Sequence, residues 1–368
     1  MIYLNNAATS WPKAPGLSRA VADAVEGPPG DAGRSTGGGS GLDGCRARLS
    51  RLLGAAEPQR IILTANATQA LNIALLGFPW KPGDTVITTQ AEHNSVLRPL
   101  YRLKKLGIIN YIALPVSPDG RVCMDVWVSA MREYRPRMAV FTHASNASGA
   151  VNDALALARS AKEESAAAVL IDASQTAGVL PVTPDIWGVD MAVFTGHKYL
   201  LGPQGTGGLY AAPGVRLDPV YTGGTGIHSD EDEMPTQLPM RLEAGTGNEH
   251  SFAGLSFALE YQDRCPVDMD EILPRLHRLE EGMISIGMKV IAVDGVRTPV
   301  VSAVSPAYPS GIVGEMLASS YDIICRTGLH CAPLYPDIPG GTLRLSLSRF
   351  TTDDEIDETL EALREIHT

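Results

Sequence analysis

The sequence lacks any long hydrophobic segment. No apolar run in its 368 residues approaches the roughly 18 residues that a membrane-spanning helix requires, so we expect no membrane association. The first residues, Met1–Thr9, also lack the basic start and the apolar core of a signal peptide, which predicts a cytoplasmic protein. Thiols in that compartment are expected to be reduced.

Paired cysteines and positive charge are also scarce. The five cysteines show no C-x-x-C spacing, which argues against a zinc site or a disulfide framework, and we predict no metal. The formal net charge of −11 argues against nucleic acid as a partner. The 44% of hydrophobic and 19% of charged residues suit an ordinary enzyme, and the length suits a large α/β domain with a smaller companion.

From Arg60 onward, short apolar segments alternate with helical ones. This alternation predicts crossover units that build a mainly parallel sheet. Five of the predicted strands run directly into polar segments, which are Thr64–Asn72, Glu92–Asn94, His143–Gly149, Asp172–Gln175 and Thr195–Lys198. Because the carboxyl ends of parallel strands meet at one edge of a sheet, we expect these polar side chains to form a single site there.

Each of these residues has a simpler interpretation when it is taken alone. Lys198 can be a surface lysine in a turn, and His93 can cap a helix. Asn146 can make a turn, and Asp172 can be a helix N-cap. The coincidence of polar segments at five strand ends favours one functional site over unrelated structural roles.

Together these residues suit a carbonyl cofactor that has a ring nitrogen and a phosphate group. Lys198 can form a Schiff base with it, since desolvation favours the neutral, nucleophilic amine. Asp172 can keep the ring nitrogen protonated by ion pairing, Gln175 can hydrogen-bond the ring oxygen, and His93 can cover the ring face. The phosphate is expected to lie among the start of a helix and nearby polar groups, at Ala67, Thr68, Thr195 and His197.

Six short motifs carry a resemblance to a known family. They are Tyr3–Thr9, Ala91–His93, Ser145–Asn146, Asp172–Gln175, Thr195–Lys198 and Glu243–Thr246. In these motifs the chain resembles the class V aminotransferase superfamily of pyridoxal-phosphate enzymes. The match runs from residue 3 to the C-terminal helix. The segment Arg326–Ala332 resembles the cysteine motif of the Suf-type (group II) cysteine desulfurases and selenocysteine lyases, with Leu329 where that motif usually has histidine.

The resemblance implies the α/β architecture of the fold type I pyridoxal-phosphate transferases. A large cofactor-binding domain with a mainly parallel mixed sheet would span residues 16–255. A smaller α+β domain would combine residues 1–15 with 256–368. The resemblance also implies a homodimer, in which Thr246 reaches the cofactor phosphate of the neighbouring subunit. Arg344 would grip the substrate carboxylate, and Asn146 would lie beside the ring and the substrate.

The same resemblance implies a cysteine desulfurase that uses pyridoxal 5′-phosphate and supplies sulfur for transfer and iron–sulfur cluster assembly. Lys198, Cys331 and His93 would be the catalytic residues. The Lys198 amine would remove the α-proton of L-cysteine, and the Cys331 thiolate would take the sulfur as a persulfide, leaving L-alanine. A sulfur-acceptor protein would then collect the sulfur. Arg326 and His330 lie close in sequence to Cys331 and can favour its thiolate.

Other activities on the same scaffold stay open at this point: a selenocysteine lyase, a C–S lyase that acts on a larger thioether, and an aminotransferase. A cofactor-binding scaffold or regulator without turnover is an alternative of another class. Cys331 can also be a small buried hydrophobe in a late loop, and we assign Cys325 to the core of an apolar strand. The glycine-rich segment 27–41 is predicted to border the active site or to be a linker.

Overall fold

The computed structural model describes residues 1–28, 41–227, 230–335 and 337–368. The glycine-rich segment predicted at residues 27–41 lies almost entirely outside these described residues. Its predicted role as an active-site border or linker therefore stays a prediction.

The strands and helices follow one another along the chain as the alternation of apolar and helical segments predicts. The strands are β1 (Ile2–Tyr3), β2 (Ile61–Thr64), β3 (Asp84–Thr89), β4 (Ile109–Leu114), β5 (Met138–Thr142), β6 (Ala168–Asp172), β7 (Met191–Thr195), β8 (Gly207–Ala211), β9 (Lys289–Val290), β10 (Val300–Val304), β11 (Ile323–Ile324), β12 (Arg326–Gly328) and β13 (Thr342–Ser346). The helices are α1 (Leu17–Glu26), α2 (Gly41–Leu52), α3 (Ala67–Leu76), α4 (Asn94–Lys105), α5 (Met124–Tyr134), α6 (Ala154–Ser165), α7 (Pro184–Trp187), α8 (Glu249–Arg264), α9 (Met269–Ser285), α10 (Ser310–Tyr321) and α11 (Asp353–His367).

The large sheet has seven strands in the order β2-β8-β7-β6-β5-β3-β4. Neighbouring strands from β4 to β7 are parallel, whereas β8 is antiparallel to both β7 and β2. The prediction of a mainly parallel mixed sheet in an α/β fold is therefore confirmed. Because β2, β3, β5, β6 and β7 all run in one direction, their carboxyl ends lie along the same edge.

The central strands are buried on both faces, which explains why they read as continuous apolar runs in the sequence. Successive residues of a strand serve opposite layers of the core. Leu170 and Val193 pack into the cluster that contains residues of α3 and α4, whereas Ile171 and Phe194 pack with residues of α2, α6 and α8. Burying one such side chain contributes about 1.5–3 kcal/mol.

The second region is built from a four-stranded sheet in the order β12-β13-β10-β9 and from the parallel pair β1-β11. Its core combines Ile2 and Leu4 of the amino-terminal arm with residues of α9, α10 and α11. A capping box at Thr352 and Glu355 begins α11. The expected change of domain at residues 255 and 256 falls within α8, and the domain limits stay a prediction.

One local expectation differs from the structure. Cys325 lies between β11 and β12, where it packs partly buried against the core of the second region rather than inside a strand. Within the described ranges, no helix combines the length and the apolar character needed to cross a bilayer.

Candidate active site

A cavity of about 180 Å³ lies at the edge of the large sheet where the parallel strands end. It brings together most of the residues predicted for the cofactor site. The predicted residues that line it are Ala67, Thr68, His93, Asn146, Asp172, Gln175, Thr195, His197 and Lys198. The convergence follows from sheet order, because β3, β5, β6 and β7 deliver their polar ends to adjacent positions.

The start of α3 forms one wall of this cavity. The side chain of Asn66 caps the helix by accepting a hydrogen bond from the Gln69 amide at 2.9 Å. The amides of Ala67 and Thr68 precede the first helical hydrogen bonds, so they remain available to an anion. Gly207 of β8 permits this arrangement, because a Cβ at that position would lie 2.7 Å from the backbone of Asn66.

His93 is the N-cap residue of α4 and also lines the cavity. Its Nδ1 accepts the Ser95 amide at 3.0 Å, which leaves Nε2 to carry the proton of the neutral ring. Burial, followed by the charge of Lys198, lowers the pKa of His93 to about 4. A neutral, half-buried ring at this place is suited to stacking, as the sequence predicts.

Three polar atoms of the wall have no hydrogen-bond partner among the described residues although they are buried. They are Ser174 Oγ, Gln175 Oε1 and His197 Nδ1. Gln175 Nε2 donates to the carbonyl of Ala7 at 3.1 Å, which fixes its side chain at the cavity. Unsatisfied buried polar groups cost about 1–3 kcal/mol each, so their concentration here indicates a polar ligand.

Asp172 ends β6 and is 6% exposed. Its Oδ1 accepts the Ser174 amide at 2.9 Å, which orients the carboxylate. No Arg or Lys of the described chain forms an ion pair with it within 4.0 Å. The carboxylate is therefore free to pair with a cationic ring nitrogen, and the donor set as a whole fits a phosphorylated pyridinium cofactor.

Lys198 follows β7 directly and lines the same cavity. Burial is the main cause that lowers the pKa of its amine to about 8; the charge of Asp172 opposes this shift, and the charges of Arg344 and Arg326 add to it. About a fifth of the amine is therefore neutral at pH 7.4, far more than in an ordinary lysine. A neutral lysine amine is the form that acts as a nucleophile and as a base.

Glu92 is a buried residue whose placement sequence reasoning did not interpret. Its Oε1 accepts hydrogen bonds from the Thr89 hydroxyl at 2.7 Å and from the Thr142 amide at 2.9 Å. Burial raises the pKa of this carboxyl to about 8. Glu92, which precedes His93 in the sequence, thus connects the ends of β3 and β5 by hydrogen bonds.

Arg344, predicted to grip the substrate carboxylate, is completely buried beside the site. Its Nη1 donates to the carbonyl of Asn146 at 2.7 Å, and its Nη2 donates to Asn5 Oδ1 at 3.2 Å. Within the described residues it has no acidic partner, and burial lowers its pKa to about 10. A buried guanidinium without a counter-charge is suited to an anionic ligand.

Cys331 lies at the edge of the site rather than inside the lysine cavity. Its Sγ accepts a hydrogen bond from Arg326 Nη2 at 2.8 Å, and Arg326 also lines the lysine cavity. The carbonyl of Cys331 accepts the Asn94 amide at 2.8 Å, which ties its loop to the start of α4. His330 and Cys331 both have positive φ, 52° and 61°, so the loop holds two consecutive residues in the left-handed region.

The structure corrects the expectation that His330 acts on the thiol. Its Nε2 lies 2.7 Å from the Thr342 hydroxyl, and the ring is 1% exposed. Burial and the neighbouring arginines Arg344 and Arg326 lower its pKa to about 3, so the ring is neutral. The carbonyl of His330 accepts a hydrogen bond from the Asn146 side chain, which makes His330 a structural residue of the loop.

Thr246 is not brought into the lysine cavity within this chain. It is exposed and lines a separate open cavity of about 610 Å³. The segment before it is anchored by Glu243, which pairs with the buried Arg46 at 2.7 Å. Its predicted place at a phosphate therefore depends on a second copy of the chain.

Two further contributors to the site were not identified from sequence. Ser95 Oγ lies 2.8 Å from the Thr68 hydroxyl and 2.9 Å from His93 Nδ1, so it links two walls of the cavity. Ala7 supplies the carbonyl that holds Gln175. The N-cap position of His93 gives a sequence signal for Ser95, because an N-cap side chain accepts from the amides that follow it. Nothing local signals Ala7.

Comparison with known proteins decides the family. The model of the family described as aminotransferase class-V matches residues 2–359. The chain belongs to this family. Its class-V relatives include a probable cysteine desulfurase of Methanothermobacter thermautotrophicus, 30% identical over 84% of this chain and 80% of the relative. A cysteine desulfurase of Salmonella agona is 27% identical over 89% of this chain and 82% of its own length.

Solved structures agree with this class-V assignment. The apo structure of a cysteine desulfurase from Thermococcus onnurineus has a TM-score of 0.89 and 25% identity, covering 99% of this chain and 94% of its own. The predicted fold type I architecture is confirmed, and the cofactor of this class-V enzyme is pyridoxal 5′-phosphate. The named relatives support a cysteine desulfurase over the lyase and aminotransferase alternatives.

Proposed function

We propose that the protein is a cysteine desulfurase that converts L-cysteine to L-alanine and keeps the sulfur as a persulfide on Cys331. One observation carries this proposal. Arg326 lines the cavity of Lys198 and at the same time donates a hydrogen bond to Cys331 Sγ at 2.8 Å. A single guanidinium thus connects the lysine and the thiol, and a cationic donor favours the thiolate that a sulfur acceptor needs.

The residues of the cavity have separate tasks in this reaction. When bound, pyridoxal phosphate supplies an electron sink for the substrate α-carbon, and Asp172 pairs with its ring nitrogen. Arg344 binds the substrate carboxylate, which gives this buried guanidinium its counter-charge. Lys198 takes the α-proton through its neutral amine, and His93 packs as a neutral ring against the cofactor.

Cys331 performs the transfer of sulfur. Its thiolate attacks the sulfur of the substrate and forms a new S–S bond, and the substrate C–S bond breaks. The electron pair of that bond remains with the substrate carbon, which takes up a proton and becomes the methyl group of alanine. No external oxidant is required, because the sulfur arrives on Cys331 at the persulfide level.

The test uses Cys331→Ala, with Cys265→Ala as a matched control because Cys265 is an exposed cysteine far along the chain from the motif. With L-cysteine, wild type and the control should gain one sulfur on the Cys331 peptide by mass spectrometry and release alanine. Cys331→Ala should still bind cofactor but form alanine at least about a hundredfold more slowly, because a nucleophile has been removed. Undiminished alanine and sulfide from this variant would make Cys331 structural and favour a lyase.

We also propose a homodimer in which Thr246 completes the phosphate site of the partner subunit. The proposal is supported by the exposed position of Thr246, away from the lysine cavity of its own chain, on a segment anchored by Glu243. Thr246→Ala should weaken cofactor affinity about tenfold, the effect of losing one hydrogen bond to a charged group. Sedimentation that finds a stable monomer with full cofactor occupancy would refute the dimer.

The remaining expectations belong to the same proposal. They are a sulfur-acceptor partner, a role in iron–sulfur cluster assembly and a cytoplasmic location. The relatives bear names of cysteine desulfurases and support the reaction, whereas these three points stay predictions.

A further inference from the structure

A second cavity adjoins the lysine cavity on its outer side. It has a volume of about 440 Å³ and is reached from Cys331, which lines it together with residues of α3 and α4. Thr68, His93 and Ser95 line both cavities and form the wall between them. The cavity that Cys331 lines therefore shares a wall with the lysine cavity.

The outer cavity is basic. Arg98 and Arg102 line it from α4, and their spacing of four residues places them on one face of the helix. Both are exposed, and neither forms an ion pair with any residue in the described parts of the chain. Among the described residues that line the cavity, none is Asp or Glu. The chain as a whole has a net charge of −11, so these two unpaired arginines give the cavity a charge opposite in sign to that of the protein.

We propose that this outer cavity is a carboxylate-binding subsite that seats a small anionic thiol for attack on the sulfur held by Cys331. The volume lies within the range of small-molecule sites, about 300–1,000 Å³. Arginine pairs bind carboxylates through charge-assisted, often bidentate hydrogen bonds. Two arginines at this spacing suit a thiol that carries two carboxylates, with Asn72 and Asn94 as further polar groups of the wall.

The proposal rests on the proposed desulfurase reaction, which supplies the persulfide. The acceptor thiolate attacks the outer sulfur of the Cys331 persulfide and forms a new S–S bond with it. The bond between the two persulfide sulfurs breaks, and Cys331 departs as a thiolate ready for another turnover. The acceptor leaves as a small persulfide, so atoms and electrons balance without any further reagent.

The first experiment examines the cavity without any turnover. The holoenzyme is alkylated with iodoacetate or iodoacetamide at low salt, and the rates at the Cys331 peptide are measured by mass spectrometry. The double variant Arg98→Gln/Arg102→Gln should lower the ratio of the iodoacetate rate to the iodoacetamide rate at least about fivefold, because a basic cleft concentrates anions. High salt should remove most of the difference.

Matched variants separate local from general charge effects. Lys105→Gln removes one positive charge from the same helix at a residue that does not line the cavity, and it should leave the ratio unchanged. Arg98→Lys/Arg102→Lys keeps both charges and should retain most of the wild-type ratio. An equal ratio in wild type and in the double glutamine variant would overturn the proposal.

The second experiment measures transfer. After reaction with L-cysteine, sulfur should move from Cys331 to mercaptosuccinate at least about fivefold faster than to the neutral thioglycerol, and the double glutamine variant should lose this preference. If Cys331 never gains sulfur, the desulfurase proposal fails while the alkylation result still reports on the subsite. If Cys331 gains sulfur but only a thiol-bearing protein accepts it, the subsite proposal fails and the desulfurase proposal stands.

Discussion

The lysine and the cysteine of this site are held in different ways. Lys198 follows a buried strand of the large sheet, and its neighbours Asp172 and Thr195 stand at strand ends in a fixed register. Cys331 stands in a loop that is held by side-chain and backbone contacts from Arg326 and Asn94, with two residues in the left-handed region. Cofactor chemistry is thus built on regular structure, whereas the thiol that we propose takes the sulfur is placed by a few contacts of its loop.

The largest effect is expected at the lysine. Lys198→Ala should abolish covalent cofactor attachment and lower alanine formation by more than about a thousandfold, since it removes both the nucleophile and the base. Borohydride reduction of the wild type followed by peptide mapping should place the pyridoxyl group on Lys198. A label on another lysine, or turnover by the variant near the wild-type rate, would remove Lys198 from its role.

A smaller effect is expected at Arg326, which lines the lysine cavity and contacts Cys331. Arg326→Gln should slow transfer of sulfur to Cys331 about tenfold to a hundredfold, because a charge-assisted hydrogen bond to the thiolate contributes about 1.5–3 kcal/mol. Cofactor absorbance should change little, since the strand ends are untouched. The rate of sulfur transfer is measured as persulfide formation in a single turnover, and Arg326→Lys should recover part of this rate. If the variant lost cofactor binding and sulfur transfer to the same extent, the lysine cavity and the Cys331 loop would not act independently.

The smallest effect is the pH dependence of cofactor attachment, which reports on Lys198 and not on the Cys331 loop. Because burial lowers the pKa of Lys198 to about 8, covalent attachment of pyridoxal phosphate to the apoenzyme should speed up roughly tenfold per pH unit below 8 and level off above it. An amine with the ordinary value of 10.5 would continue to gain rate up to about pH 10. Stopped-flow absorbance, normalised to the reaction of acetyl-lysine, distinguishes the two curves.

The contrast also explains what the sequence predicts. Apolar runs that end in polar residues identify Asp172, Thr195 and Lys198, because strand direction alone brings these ends to one edge. The contacts of the loop cannot be found in this way. The hydrogen bonds from Asn94 to Cys331 and from Asn146 to His330 join residues that are far apart in the chain and share no periodic pattern.

Two residues illustrate why the side-chain contacts of Cys331 could not be predicted from closeness in sequence. His330 stands next to Cys331 in the sequence, yet its ring hydrogen-bonds the Thr342 hydroxyl, and both residues have left-handed backbone. Arg326 is the first residue of β12, five residues before Cys331, and its guanidinium donates a hydrogen bond to the Cys331 thiol. Proximity in sequence suggests both residues as partners of the thiol, and only the structure shows that Arg326 contacts it whereas the His330 ring does not.

Arg344 connects the stability of this protein with its supply of substrate. The guanidinium is completely buried and has no acidic partner among the described residues. Without a ligand the protein therefore bears the cost of an isolated buried charge, and a substrate carboxylate bound to Arg344, as we propose, would relieve part of it. Since a ligand that binds only the folded state shifts the folding equilibrium by mass action, the protein should resist heat and proteolysis better when amino acid is plentiful than when it is scarce.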